Sequence, residues 1–106
     1  MDISGWRKKI DDLDRKLVAL LNERATAAIE IGRLKRNTNM PIYEPDRESE
    51  VIANVRQNSA GPLVDRDLAQ IYERIIDVMR NIQKLEIVPD SEPSPHDSEI
   101  ESQYED

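Results

Sequence analysis

GWRKKIDDLDRKLVALLNERATAAIEIGRLKR, residues 5–36, decides the fold. Its apolar positions Trp6, Ile10, Leu13, Leu17, Leu20, Ala28 and Ile31 recur at three- and four-residue steps until Arg24 interrupts them. That spacing predicts one amphipathic helix, with its stripe turned to a core. Asp2 or Ser4 is available as its cap, and Lys35 and Arg36 suit the negative end of the helix dipole. Asn37 to Pro41 breaks it.

Two shorter helices follow. Glu44-Pro45 opens the second, since proline is tolerated in a first turn, and the periodic pattern runs to Asn58. Ser59-Ala60-Gly61-Pro62 is a stop. Asp65 or Asp67 caps a third helix with apolar Leu68, Ile71, Tyr72, Ile75, Ile76, Met79 and Ile82. The expected fold class is all-α, with three helices per chain, the first very long. A helix of about 32 residues spans roughly 48 Å, whereas a compact chain of about 100 residues has a radius of gyration near 13 Å. Two short helices cannot cover that stripe from end to end, but a second copy can. An intertwined helical homodimer is therefore expected, against the plainer alternative of a monomeric hairpin with a frayed end.

Composition agrees with helices: 38% hydrophobic, 4% aromatic, no Phe and three Gly in 106 residues. One core and one domain, residues 1–88, fit that length. The chain has no cysteine, so there is no disulfide or thiol chemistry to expect. Met1 to Trp6 lacks a signal-peptide profile, and no apolar run is long enough for a membrane span. A cytoplasmic protein with no membrane partner is expected.

The net charge of −7 belongs to residues 89–106, which carry Asp90, Glu92, Asp97, Glu99, Glu101, Glu105 and Asp106 and no Lys or Arg. Twenty-two acids less these seven leaves fifteen against fifteen bases in the rest of the chain. A neutral body offers no broad electrostatic footprint for nucleic acid. The Pro-, Ser- and acid-rich tail is too polar to fold alone and reads as a disordered extension, with His96 a solvated histidine.

Chemistry enters where charges interrupt apolar faces. At about 100° per residue, Leu17, Arg24, Ala28, Ile31 and Lys35 fall within about 40° of one direction. Burying an unpaired cation costs several kcal/mol, so Arg24 and Lys35 each require an anion unless they snorkel. Glu48 shares a face with Ile52 and Val55, and Arg47 lies beside Val51. Glu48 could pair with Arg24 or Lys35 as a structural bridge. Gln83 aligns with Tyr72, Ile76 and Met79, as a core amide or a pocket donor. Together they describe a pocket with surplus cations, one acid and one amide. The body has no His, Cys, metal-ligand cluster or phosphate loop. Such a pocket suits a small dianion and a reaction driven by electrostatics and positioning.

Trp6-Arg7-Lys8-Lys9-Ile10-Asp11-Asp12-Leu13-Asp14 and Leu20-Leu21-Asn22-Glu23-Arg24 resemble the opening of the all-helical chorismate mutases. Ile31-Gly32-Arg33-Leu34-Lys35 and Pro41-Ile42-Tyr43-Glu44-Pro45-Asp46-Arg47-Glu48 continue the pattern in order, so that the likeness covers residues 3–86. The resemblance implies a Claisen rearrangement of chorismate to prephenate, in the shikimate pathway toward phenylalanine and tyrosine, without cofactor or metal. By position, it gives Arg24 a substrate carboxylate and Arg7 a reach into the other subunit's site. It gives Lys35 a carboxylate and the ether oxygen, and makes Arg47 a further cation. Glu48 accepts the ring hydroxyl, helped by backbone near Glu44, and Gln83 is the second donor to the ether oxygen. Met79 departs from the pattern, since some members carry a small hydroxyl residue there near a carboxylate. That implies weaker substrate binding without loss of the chemistry.

Two other readings compete. An isochorismate pyruvate-lyase resembles this family and uses similar cations, but Glu48 stands where those lyases carry an apolar residue. A non-enzymatic helical dimerisation module would use the same charges as registry-setting salt bridges.

Overall fold

The computed structural model describes residues 1–87. Among them it has three helices and no strand: α1 (Ile3–Thr38), α2 (Pro45–Gln57) and α3 (Asp65–Ile87). The expected acidic extension, residues 89–106, lies outside the described residues.

Each boundary has a local cause. Of the two expected caps for α1, Asp2 takes the role, its Oδ1 accepting from the Gly5 N–H at 2.8 Å. At the other end Asn39 turns left-handed (φ 57°), a conformation that asparagine tolerates. The N–H groups of Asn39 and Met40 both donate to the Lys35 carbonyl and close the helix. Pro45 stands at the start of α2, and Asp46 and Glu48 place negative charge in its first turn. Gly61, with φ +82°, turns the chain before α3. One expectation shifts here. Asp65 and Asp67 sit inside the first turn of α3 rather than ahead of it, because the Val64 carbonyl accepts the first helical bond from Leu68 at 3.0 Å. There they favour the helix dipole.

α3 packs against both α1 and α2, while α1 and α2 do not pack on each other. Ala28 and Gly32 of α1 and Ala69, Ile76 and Met79 of α3 are buried along these seams. The core of the single chain is thin, with no large side chain fully enclosed. At 36 residues α1 is about 54 Å long, against about 35 Å for the 23 residues of α3. The radius of gyration is 16.8 Å, where a compact body of the 87 described residues would have about 12 Å. The N-terminal half of α1 accounts for the excess: Trp6, Ile10, Leu17 and Leu20 are each more than half exposed. No helix among the described residues is long and apolar enough to cross a membrane.

Candidate active site

Because α1 and α2 stand apart on α3, a cleft of about 440 Å³ opens between them. α1 supplies Arg24, Ala27, Ala28, Ile31 and Lys35 to its wall. Glu44, Arg47, Glu48 and Val51 come from the start of α2, and Ile76, Met79, Arg80 and Gln83 from α3. Of the residues expected at a site, Arg24, Lys35, Glu44, Arg47, Glu48, Met79 and Gln83 therefore meet in one cavity. Arg7 does not. It lies on the exposed part of α1, 17 residues and so about 25 Å along the helix from Arg24.

Lys35 is the one charged side chain buried among the described residues, at 8% exposure. Its Nζ pairs with Glu44 Oε1 at 2.7 Å and lies 3.4 Å from the Ile42 carbonyl. The Glu44 carboxylate is thus committed to Lys35 and makes no cap bond for α2. Glu44 lines the cavity as expected, and its side chain is spent on Lys35. The pair ties α1 to the segment leading into α2 at the wall of the cleft.

Glu48 pairs with neither Arg24 nor Lys35. Its partner is Arg80, whose Nη2 and Nε donate to Oε1 and Oε2 at 2.7 and 3.0 Å. Arg80 also reaches Asp77 at 3.2 Å and lies over the Tyr43 ring, 5.2 Å from its centroid. The hydrogen bond to Glu48 raises the pKa of the Arg80 guanidinium above its ordinary value; burial opposes this, and the charges of Glu48 and Asp77 add to it. Sequence reasoning missed Arg80, although the signal was present. Ile76, Arg80 and Gln83 stand at i, i+4 and i+7, one face of α3.

Gln83 is half-buried and donates from Nε2 to the Ala28 carbonyl at 3.1 Å. One of its two amide N–H groups is so engaged, and the other is free for a ligand. Arg47 pairs outward with Glu50 of its own helix. Arg24 is half-buried at the cavity wall, with no ion-pair or hydrogen-bond partner among the described residues. Four cations against two carboxylates leave the lining with a surplus of two positive charges. No three metal-binding side chains cluster among the described residues. The arrangement can hold a small dianion and direct N–H donors at it from Lys35, Gln83 and Arg24.

A long helix and two shorter ones around this cation-lined cleft define an all-helical domain with a single shared wall, α3. The chain belongs to the type II chorismate mutase family, whose model matches residues 6–84. It is 35% identical over 87 residues to the bifunctional chorismate mutase/prephenate dehydratase of Aquifex aeolicus, covering 78% of this chain and 24% of that protein. It is 30% identical over 79 residues to the chorismate mutase of Methanocaldococcus jannaschii, covering 74% of this chain and 80% of that one. The chain spans about a quarter of the length of bifunctional relatives such as the Aquifex protein. Among solved structures, chorismate mutase from Thermus thermophilus superimposes with a TM-score of 0.70 at 32% identity, over 73% of this chain and 96% of that chain.

Proposed function

We propose that this chain is a chorismate mutase, rearranging chorismate to prephenate within the cleft, in the biosynthesis of phenylalanine and tyrosine. The observation that carries this reading is Arg24: a half-buried guanidinium without a counter-ion, in a lining with two surplus positive charges. A substrate carboxylate supplies the counter-ion that Arg24 lacks, and Lys35 and Arg47, each sharing its charge with one carboxylate, add positive potential for a second. A cavity of about 440 Å³ is also in the range of small-ligand sites.

In the rearrangement one C–O bond breaks as one C–C bond forms in the same molecule, so no nucleophile or proton carrier is required. Arg24 and Lys35 grip the carboxylates and hold the extended ether in a folded, chair-like conformer, an entropic and positional gain. As the C–O bond breaks, negative charge grows on the ether oxygen. The free N–H of Gln83 and the Lys35 ammonium donate to it there, more strongly in the transition state than before it. Glu48 accepts the ring hydroxyl, Glu44 keeps Lys35 in place, Arg47 adds positive potential, and Met79 packs against the substrate.

The working unit of this reading is an intertwined homodimer. The apolar stripe of Trp6, Ile10, Leu13, Leu17 and Leu20 is exposed in the single chain, and a second copy laid along it removes it from water. The same pairing carries Arg7 of the partner subunit to the cleft. Residues 1–88 form the catalytic domain, the acid-rich stretch 89–106 follows it in the sequence, and the protein works in the cytoplasm. Incubating purified protein with chorismate and with isochorismate, and identifying the products, tests the proposal. Prephenate from chorismate supports it, and pyruvate released from isochorismate alone contradicts it.

A further inference from the structure

We infer that Arg80 is a positioning residue of this cleft, clasping both oxygens of Glu48 so that its remaining lone pairs face the substrate hydroxyl. The inference rests on the mutase reading and adds to it a residue outside the set that the family resemblance supplies.

The geometry is specific. The guanidinium approaches Glu48 as a fork, Nη2 to Oε1 at 2.7 Å and Nε to Oε2 at 3.0 Å. A carboxylate offers about four lone-pair sites, so a two-point clasp leaves about two for a ligand, in directions fixed by the fork. Arg80 is itself held from two other sides. Asp77, one turn earlier on α3, lies 3.2 Å from Nη2, and the Tyr43 ring covers Cζ at 5.2 Å. One side chain therefore ties α3, the segment before α2, and α2 at the point where Glu48 enters the cleft. Its place does not depend on a bound substrate.

The clasp has a second consequence. Arg24, Lys35 and Arg47 line the same cavity, and a carboxylate free to swing would be drawn to them. It would then neutralise a charge that the dianion needs. Arg80 gives Glu48 a stronger, two-point partner and so keeps the other cations available. Lysine cannot replace it fully, because an ammonium is a point charge without a planar fork.

The test is a double-mutant cycle on the full chain: Arg80→Gln, Arg80→Lys, Glu48→Gln and both double variants. For each, kcat and KM for chorismate are measured, with circular dichroism and thermal melting. In the parent, Arg80→Gln should lower kcat/KM by about tenfold or more, with Arg80→Lys restoring only part of it. In the Glu48→Gln background, the same Arg80 substitution should add less than about a twofold loss, since no carboxylate remains to be placed. Equal losses in both backgrounds would overturn the inference, because Arg80 would then act independently of Glu48. Should Arg80→Gln fail to fold, the charge-retaining Arg80→Lys arm of the cycle gives the same reading. A folded parent with no chorismate turnover would instead bring down the functional reading itself, and the role of Arg80 with it.

Discussion

Gly32 and Gln83 meet with no space between them: a Cβ on Gly32 would lie 3.2 Å from the Gln83 Cα and 3.3 Å from its Cβ. This contact sets how closely α1 and α3 approach. It also sets the depth at which the Gln83 amide enters the cleft, where it already donates to the Ala28 carbonyl one turn away.

Gly32→Ala should therefore harm activity more than stability. A mid-helix alanine gains about 1 kcal/mol over glycine in helix propensity, whereas overpacking a tight seam costs about 1–3 kcal/mol. The first offsets only part of the second, leaving a net loss of about 0–2 kcal/mol in a urea titration. The helices must separate by a few tenths of an ångström, and Gln83 moves with them. A fall in kcat/KM of about tenfold or more is expected, and a variant as active as the parent would deny that this contact matters.

Arg24 and Lys35 should part company when each is replaced by alanine. Both should lose about 10²–10³ in kcat/KM, as cationic donors to the charge of the substrate. Arg24→Ala removes a cation with no partner, so stability should stay within about 1 kcal/mol of the parent. Lys35→Ala also strands Glu44. Because Glu44 is 36% exposed and can rehydrate, that should cost about 1–2 kcal/mol rather than the roughly 3–5 of a fully buried pair. Thermal melts beside initial rates check both.

Much of this site is legible in the sequence, because a polar residue on an apolar helical face is conspicuous at about 100° per residue. Arg24, Lys35, Glu48 and Gln83 all stand out in that way, and the structure brings all four into one cavity. Pairing is less legible. Periodicity gives a residue's direction around its own helix, but not how far one helix is slid along another. Glu48 thus looks equally able to meet Arg24 or Lys35, and it meets Arg80 instead. Arg80 is inconspicuous because it stands about 40° from Ile76, at the edge of the α3 stripe rather than its centre. The closeness of Gly32 to Gln83 is hidden for the same reason, since a lone helical glycine reads as a mild propensity fault.

Gln83→Glu should shift the activity optimum toward acid. The introduced carboxyl carries a single O–H, and only when protonated, so it can donate to the ether oxygen only at acid pH and gives up the bond to Ala28; ionised, it opposes the charge growing on that oxygen. Rates from pH 8 down to about 4.5, with circular dichroism at each point, should show an acid limb absent from the parent. A folded variant with the parent's profile would remove Gln83 from the mechanism.

The exposed stripe on α1 makes a hydrodynamic prediction. At micromolar concentration the protein should sediment at about twice its 12.2 kDa chain mass. Leu17 is 55% exposed in the single chain, so in a monomer Leu17→Glu would change stability by only about 0.5 kcal/mol. In a dimer it buries a charge in the interface. It should then dissociate the protein and, if Arg7 acts in a partner's cleft as proposed, abolish turnover. A stable, active monomer would contradict that arrangement.

The decisive measurement is product identification by magnetic resonance after purified protein meets chorismate, in the presence of a metal chelator and without added cofactor. Prephenate should appear in place of chorismate, at a rate that Arg24→Ala lowers by about a hundredfold or more while the variant stays folded. Chorismate left unchanged by the folded parent, or a rate indifferent to Arg24, would contradict the reading of this cleft as a mutase site.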